Sequence, residues 1–185
     1  LQHIFKKHQV EQRTEQWYLD TQHMLTASEF SKLFESPRTR GQLVLSKVNE
    51  VSKRSNILAK PTEYLTAMDW GIRFEPVVKL IYQHKYGTEL KELGRMQHPV
   101  DPRCTASPDG LIYHCPKNER TGRLIEIKCP VTREITGAIP KDYYNQMQMQ
   151  LHVTGLQLCD YVEAEFASAY QTTQLKHGPY SYYGY

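Results

Sequence analysis

Between Leu124 and Lys128 the chain reads Leu-Ile-Glu-Ile-Lys, an alternation of period two that suits a strand and not a helix. Successive side chains of a strand point to opposite faces. Glu126 and Lys128 therefore share one side, and Ile125 and Ile127 the other. The apolar side demands a core beneath it, so the segment must lie in a sheet that packs on something. Upstream, Ser107-Pro108-Asp109-Gly110 carries turn chemistry. The runs Ala106 to His114 and Gly122 to Cys129, joined by Pro116 to Thr121, predict a hairpin. That hairpin brings the Asp109 carboxylate to the polar side of Glu126 and Lys128. Two converging carboxylates form an oxygen site for a hard divalent cation such as Mg²⁺. A lysine beside that cation can position or deprotonate a water, which is the equipment of a metal-dependent phosphodiesterase.

The first half reads helical. Thr26-Ala27-Ser28-Glu29 opens a short helix with a hydroxyl cap and an apolar face of Phe30, Leu33 and Phe34, and Ser36-Pro37 ends it. A second helix is expected from Gln42 to about Arg54. A third starts after Pro61 and runs through Tyr64, Leu65 and Met68 towards Tyr86-Gly87, with Pro76 kinking or dividing it. Leu90 to Val100 contains a strand. Lys141 to Thr154 returns to helix, with Met147, Leu151 and Thr154 on one face and Val153 beside it. Asp160 to Phe166 is a further strand, and Tyr180 to Tyr185 begins another, so the domain is expected to continue past the last residue. This order predicts an α/β class, a mixed α+β sheet flanked by helices. No linker or repeat divides the 185 residues. They are read as one domain, residues 1–185, helical over about 10–87 and bearing the catalytic sheet and helix over about 89–185.

Composition narrows the function less. The formal charge of +3, from 23 basic and 20 acidic side chains, does not by itself indicate nucleic acid, although a groove can be basic when the average is not. The 13 tyrosines could stack bases, but strands and cores use most of them. The four cysteines, Cys104, Cys115, Cys129 and Cys159, form no Cys-x-x-Cys pair and read as reduced thiols of an intracellular protein. Zinc through Cys104, His114 and Cys115 lacks ligand spacing. No apolar run approaches the ~20 residues of a membrane span, so no membrane association is expected. The chain opens on Leu1 rather than Met, as part of a longer protein would.

Asp-(x)n-Glu-x-Lys on a hairpin resembles the PD-(D/E)xK nuclease superfamily, whose core is the restriction-endonuclease-like fold. Ser107-Pro108-Asp109-Gly110 with Glu126-Ile127-Lys128-Cys129-Pro130 resembles the phage lambda exonuclease group, the YqaJ-like viral recombinases. The resemblance covers about Gln12 to Phe166. It implies Asp109, Glu126 and the main-chain carbonyl of Ile127 as ligands of Mg²⁺, with Mn²⁺ able to substitute, and Lys128 as the residue at the attacking water. Gly71-Ile72-Arg73-Phe74-Glu75 matches a Gly-x-x-x-Glu string that carries an acidic active-site residue in that group. Glu75 would hold water or a second cation, where the bare sequence suggests only a helix-surface Glu. A Gln-x-Gln helix of the family begins at Gln146. Gln146 and Gln150 lie one turn apart, and neutral amides can bond a water or phosphate without competing for the metal. Ile139 to Tyr144 resembles versions from large DNA viruses of eukaryotes, which points to a viral source and to the host cytoplasm or nucleus.

Gln12-Arg13-Thr14-x-x-Trp17 followed by Leu25-Thr26-Ala27-Ser28 resembles the opening of these enzymes, where an Arg and the Ser bind the 5′-phosphate of a DNA end. Arg13, Thr26 and Ser28 are the residues carried over. The family's Arg four residues after the Trp is absent, because Thr21 stands there, and Arg13, His23, Lys32, Arg38 and Arg40 are all candidates for the missing charge. By resemblance the substrate is duplex DNA ends, resected 5′ to 3′ in viral recombination, repair or replication. The resemblance also implies a ring-shaped homotrimer and a single-strand annealing partner. Two other readings remain open: a structure-specific or nicking endonuclease, and a DNA-binding recombination module with little catalysis.

Overall fold

The computed structural model of the chain describes residues 1–48, 65–117 and 119–166. Two short helices come first, α1 (Gln2–Lys6) and α2 (Glu15–Asp20). Strand β1 (Leu25–Thr26) leads into a 3₁₀ helix, Ala27–Phe34, followed by α3 (Pro37–Val48) and α4 (Ala67–Tyr86). Then come β2 (Glu89–Lys91), β3 (Met96–Gln97), β4 (Cys104–Ala106), β5 (Gly110–His114) and β6 (Leu124–Lys128). Helix α5 (Lys141–Thr154) and strand β7 (Cys159–Glu163) follow. Two sheets result, β1-β4-β3 and β2-β5-β6-β7. In the larger sheet β2, β5 and β6 are antiparallel neighbours, while β7 runs parallel to β6 with Glu126 opposite Tyr161. A parallel neighbour requires a crossover, and α5 is that crossover.

The larger sheet is covered on both faces. Ile112, Ile125 and Ile127 pack with Val78 and Tyr82 of α4. Leu111 and Leu124 pack with Met149 and Val153 of α5, together with Ile4, Leu93 and Met96. Each buried aliphatic side chain contributes about 1.5–3 kcal/mol. The Ile side of β6 meets α4 as the alternation requires. Its Glu side does not meet water but lies under α5, and Glu126 is only 1% exposed.

Several elements depart from the sequence expectations. The segment after Thr26 winds as 3₁₀, whose three-residue turn buries Ala27 and Ser31 and leaves Phe34 66% exposed. Ser36-Pro37 both ends that helix and starts α3, five residues earlier than Gln42. The Ser36 hydroxyl accepts from the Thr39 amide at 3.2 Å, and Pro37 takes the first helical position, where its missing N–H costs nothing. Thr66 caps α4, and Pro76 lies inside that helix without dividing it. The expected starts and ends at Arg54, Pro61 and Tyr64 lie outside the described residues, as does the strand expected at Tyr180 to Tyr185.

Where one strand was expected within Leu90 to Val100, two lie in different sheets, β2 and β3, and Ser107-Pro108-Asp109 separates β4 from β5. Gly94 sits in the first break. A Cβ there would stand 2.6 Å from the Val10 carbonyl oxygen, and the pairing of Val10 with Arg95 (N–O 2.7 and 3.0 Å) needs that closeness. The pairing docks the N-terminal segment beside the sheet. On α5 the buried residues include Gln150 and Met149 rather than Leu151, and the last strand ends at Glu163 rather than Phe166. Among the described residues no helix is long and apolar enough to cross a membrane.

At the sheet's far end, Asp160 of β7 accepts from Arg120 Nη1 (2.6 Å), Arg123 Nη1 (3.0 Å) and the Tyr82 hydroxyl. Burial acts to raise the Asp160 carboxyl, but the Tyr82, Arg123 and Arg120 donors outweigh it and hold the group below its ordinary value. A depressed carboxyl stabilises the fold above its unfolded value, and that contribution is lost as pH falls through the folded value. Asp160→Asn should cost about 2 kcal/mol at neutral pH. The gap to wild type should narrow as pH falls below the ordinary carboxylate value of about 3.9, and close only below the lower folded value. Urea unfolding at pH 7 and pH 3 measures both; an equal deficit at the two values would refute the charge argument.

Candidate active site

Asp109, Glu126 and Lys128 come together at the edge of β5 and β6. The Asp109 Oδ2 accepts the Ile127 amide at 2.6 Å, which pins the turn to the strand. Glu126 Oε1 pairs with Lys128 Nζ at 2.5 Å and accepts from Gln146 Nε2 at 2.7 Å; its Oε2 accepts from Gln150 Nε2 at 2.7 Å. Gln146 Oε1 in turn faces Lys128 Nζ at 3.3 Å. The Tyr143 ring lies 4.7 Å from the same ammonium, a cation–π distance. All of these α5 residues fall on the turns that cover the polar face of β6. The amides that the sequence suggested for water or phosphate thus donate to Glu126.

Glu75, on α4, has both carboxylate oxygens engaged. Arg13 Nη2 lies 2.5 Å from Oε2 and Lys79 Nζ 2.7 Å from Oε1. Lys79 is buried and also reaches Glu92 at 2.8 Å. Arg13 has φ +67°, the left-handed region, and is alone in this among the described non-glycine residues. Such backbone strain gathers at functional sites.

The charges act on one another. Burial, then the nearby Glu126 and Glu75 carboxylates, push the Asp109 carboxyl well above its ordinary value. Burial pushes the Lys128 ammonium down, but Glu126 and Asp109 more than reverse this and it ends raised. Lys128 is therefore a cation at neutral pH and not a free base. Burial also raises the neighbouring Cys129 thiol, to about 11, so it stays protonated. The four cysteines are free thiols, and Cys104 and Cys115 pack into different clusters, which removes the zinc arrangement. Among the described residues no group of three or more His, Cys, Asp or Glu side chains is gathered to hold a metal. An ion at Asp109 and Glu126 would complete its shell with main-chain carbonyl, water or substrate oxygen.

A cavity of about 520 Å³ opens beside this cluster, lined by Arg13, Trp17, Ser28, Lys32, Gln146 and Gln150 among others. The N-terminal segment shapes it. Gln12 Nε2 donates to the Leu93 and Pro108 carbonyls (2.8 and 3.0 Å), and Trp17 Nε1 to Ser107 Oγ (3.2 Å), tying α2 to the Asp109 turn. The Thr26 hydroxyl donates to Glu29 Oε2 at 2.8 Å and lies 3.2 Å from Ser28 Oγ. Lys47 anchors Glu29 at 2.7 Å. Of the charges considered for the missing Arg, Arg13 and Lys32 line the cavity, whereas His23 lines a separate one. Arg40 donates to the Glu35 carbonyl. At Thr21 itself the hydroxyl receives Arg95 Nη1 at 3.1 Å. That guanidinium is 2% exposed and bound to Asp20 at 2.6 Å and to the Trp17 carbonyl at 2.5 Å.

Lys79, Arg95 and Tyr143 were not singled out from sequence. Lys79 had a signal, the four-residue spacing from Glu75 on one helix. Arg95 had none, since its partners lie about 75 positions away.

Residues 16–157 match the family described as the YqaJ-like viral recombinase domain. The chain is 29% identical over 176 residues to uncharacterized protein R354 of Acanthamoeba polyphaga mimivirus, covering 88% of this chain and 30% of that protein. It thus spans under a third of this relative's length. It is also similar to the crystal structure of an alkaline exonuclease, LHK-Exo, from Laribacter hongkongensis (TM-score 0.64, 30% identity, 82% of this chain and 74% of that one). The structure of LHK-Exo in complex with dAMP compares similarly (TM-score 0.62, 29% identity, 81% and 73%). The fold is the mixed α/β arrangement of PD-(D/E)xK nucleases expected from the hairpin. With most of its length inside the matched region, the chain belongs to the YqaJ-like viral recombinase family.

Proposed function

We propose that this chain is a divalent-cation-dependent deoxyribonuclease that resects duplex DNA from 5′ ends in viral recombination, repair or replication. One observation carries the reading: Asp109, locked to the Ile127 amide at 2.6 Å, stands with a buried Glu126 and its 2.5 Å Lys128 partner beside an open cavity. Similarity to an alkaline exonuclease supports the choice of DNA.

The donor set fits Mg²⁺. Burial and repulsion from Glu126 and Glu75 outweigh the relief that Lys128 and the Ile127 amide give Asp109, and a divalent ion would supply the rest. Two carboxylates plus the Ile127 carbonyl leave room for waters and phosphate oxygens, as Mg²⁺ prefers. When bound, the cation would polarise the phosphoryl oxygen and ease deprotonation of the attacking water. Lys128, fixed as an ammonium, meets the negative charge that builds on the phosphoryl oxygens. Gln146 holds Lys128 and Glu126 in register. Glu75, clasped by Arg13 and Lys79, acts on Asp109 through its field. Thr26, Ser28, Arg13 and Lys32 receive the strand end across the cavity, and a trimer with an annealing partner would supply processivity and hand-over in the host cytoplasm or nucleus.

A second reading, an endonuclease, gains from Thr21. The guanidinium nearest that position, Arg95, is buried and committed to Asp20, so it cannot serve a terminal phosphate as the family's Arg does. Digestion in Mg²⁺ of linear 5′-phosphorylated duplex beside the same DNA as a closed circle decides. Loss of the linear form alone, with nucleotide release and none in EDTA, is expected. Cutting of the circle would favour the endonuclease, and no cleavage in Mg²⁺ or Mn²⁺ would overturn both readings.

A further inference from the structure

We infer that Gln150 is a positioning residue for Glu126, specifying which carboxylate oxygen the site offers to a cation; the inference rests on the nuclease reading above. Gln150 is 0% exposed, and its Nε2 lies 2.7 Å from Glu126 Oε2. The amide must face that way, because a carboxylate accepts and cannot donate. The consequence is a cost: Gln150 Oε1 is buried with no partner. A side chain kept only to fill space would be better as Met or Leu, with no polar atom left orphaned.

The partners of Glu126 divide unevenly. Oε1 takes both Lys128 and Gln146, while Oε2 takes Gln150 alone. A carboxylate oxygen has two acceptor positions, so Oε1 is full and Oε2 keeps one. Gln150 orients that free position. An Arg or Lys at 150 would hold Oε2 as firmly but would cancel the charge that attracts the ion. A neutral amide holds the oxygen and leaves the charge in place. Gln150 also lines the 520 Å³ cavity. The neighbouring Gln148 is exposed and can do none of this.

The test is Gln150→Met, close in length and without the amide. Two readouts are taken: kcat and KM on linear duplex, and Mn²⁺ affinity of the DNA-free protein by electron paramagnetic resonance. A positioning role predicts that Mn²⁺ affinity and kcat each fall about 10-fold or more while KM for DNA holds within about twofold. If Gln150→Met does not fold, the wild-type side-chain amide of Gln150 is followed by NMR during Mg²⁺ titration of the DNA-free protein, and it should shift as the site fills. Unchanged Mn²⁺ affinity and kcat, or an amide unmoved at saturating Mg²⁺, overturns the inference with the nuclease reading intact. A wild-type protein that cleaves no DNA overturns the nuclease reading itself, and the inference with it.

Discussion

Lys128→Ala should lower kcat for DNA cleavage by about 10³-fold, the scale of losing one well-placed cation at a charged transition state, and should leave the protein folded. Among the described residues the ammonium is the one cation in contact with Glu126, 2.5 Å away, and its position is set three times over, by Glu126, by Gln146 and by the Tyr143 ring. Such preorganisation is what makes a charge effective when the phosphoryl group gains charge. The variant exposes Glu126 to some loss of stability, but two amide donors remain on its oxygens. Near-ultraviolet circular dichroism should therefore be native. Lys128→Arg is not expected to rescue, because the planar guanidinium cannot occupy the ammonium's place between Gln146 and Tyr143. Single-turnover cleavage in Mg²⁺ measures the loss; turnover within about tenfold of wild type would remove Lys128 from the chemistry.

What was legible in the sequence had local causes. The alternation at Leu124 to Lys128 specified β6, and its two faces, because strand geometry has one period. Asp109 followed from the same hairpin. The cover over Glu126 was not legible as such. A Gln-rich helix reads as a solvated face, and nothing in its spacing says that Gln150 is buried on a carboxylate and Gln148 exposed; the strand beneath decides that. Strands of two or three residues, such as β1 and β3, carry no periodic signal, so only one strand was expected within Leu90 to Val100, where Gly94 and the Val10–Arg95 pairing separate two. Pro76 was expected to kink or divide α4; it does not divide it, and packing of Val78 and Tyr82 on the sheet carries the helix through. Arg13 was read as a phosphate ligand. Its contact with Glu75, 62 positions away, depends on the tertiary fold and makes it a counter-ion in the DNA-free protein.

Asp109→Asn should abolish cleavage and yet make the metal-free protein more stable. In wild type the Asp109 carboxyl is desolvated and faces Glu126 and Glu75, and these raise it well above its ordinary value. A carboxyl raised by folding binds its proton more tightly in the folded chain than in the unfolded one. Stability therefore falls as pH climbs from the unfolded value near ~3.9 through the folded value, and stays lowered above it. Asparagine cannot ionise, keeps an oxygen for the Ile127 amide, and turns an N–H₂ towards the two carboxylates. In EDTA at pH 8 the variant should gain about 1–2 kcal/mol, the usual return when a strained functional residue is relaxed. That is a rise of about 2–8 °C in Tm for a chain of this size, and the gain should shrink towards pH 4. Mg²⁺ should reverse the order: wild type gains about 2.7 kcal/mol at a hundred times its Kd, and the variant gains little because it lacks the carboxylate. Thermal unfolding of both proteins across pH, with EDTA and with Mg²⁺, measures each sign separately. A variant less stable than wild type in EDTA at pH 8 would mean that Asp109 is already neutralised by its surroundings. A variant stabilised by Mg²⁺ as much as wild type would mean that the ion binds elsewhere.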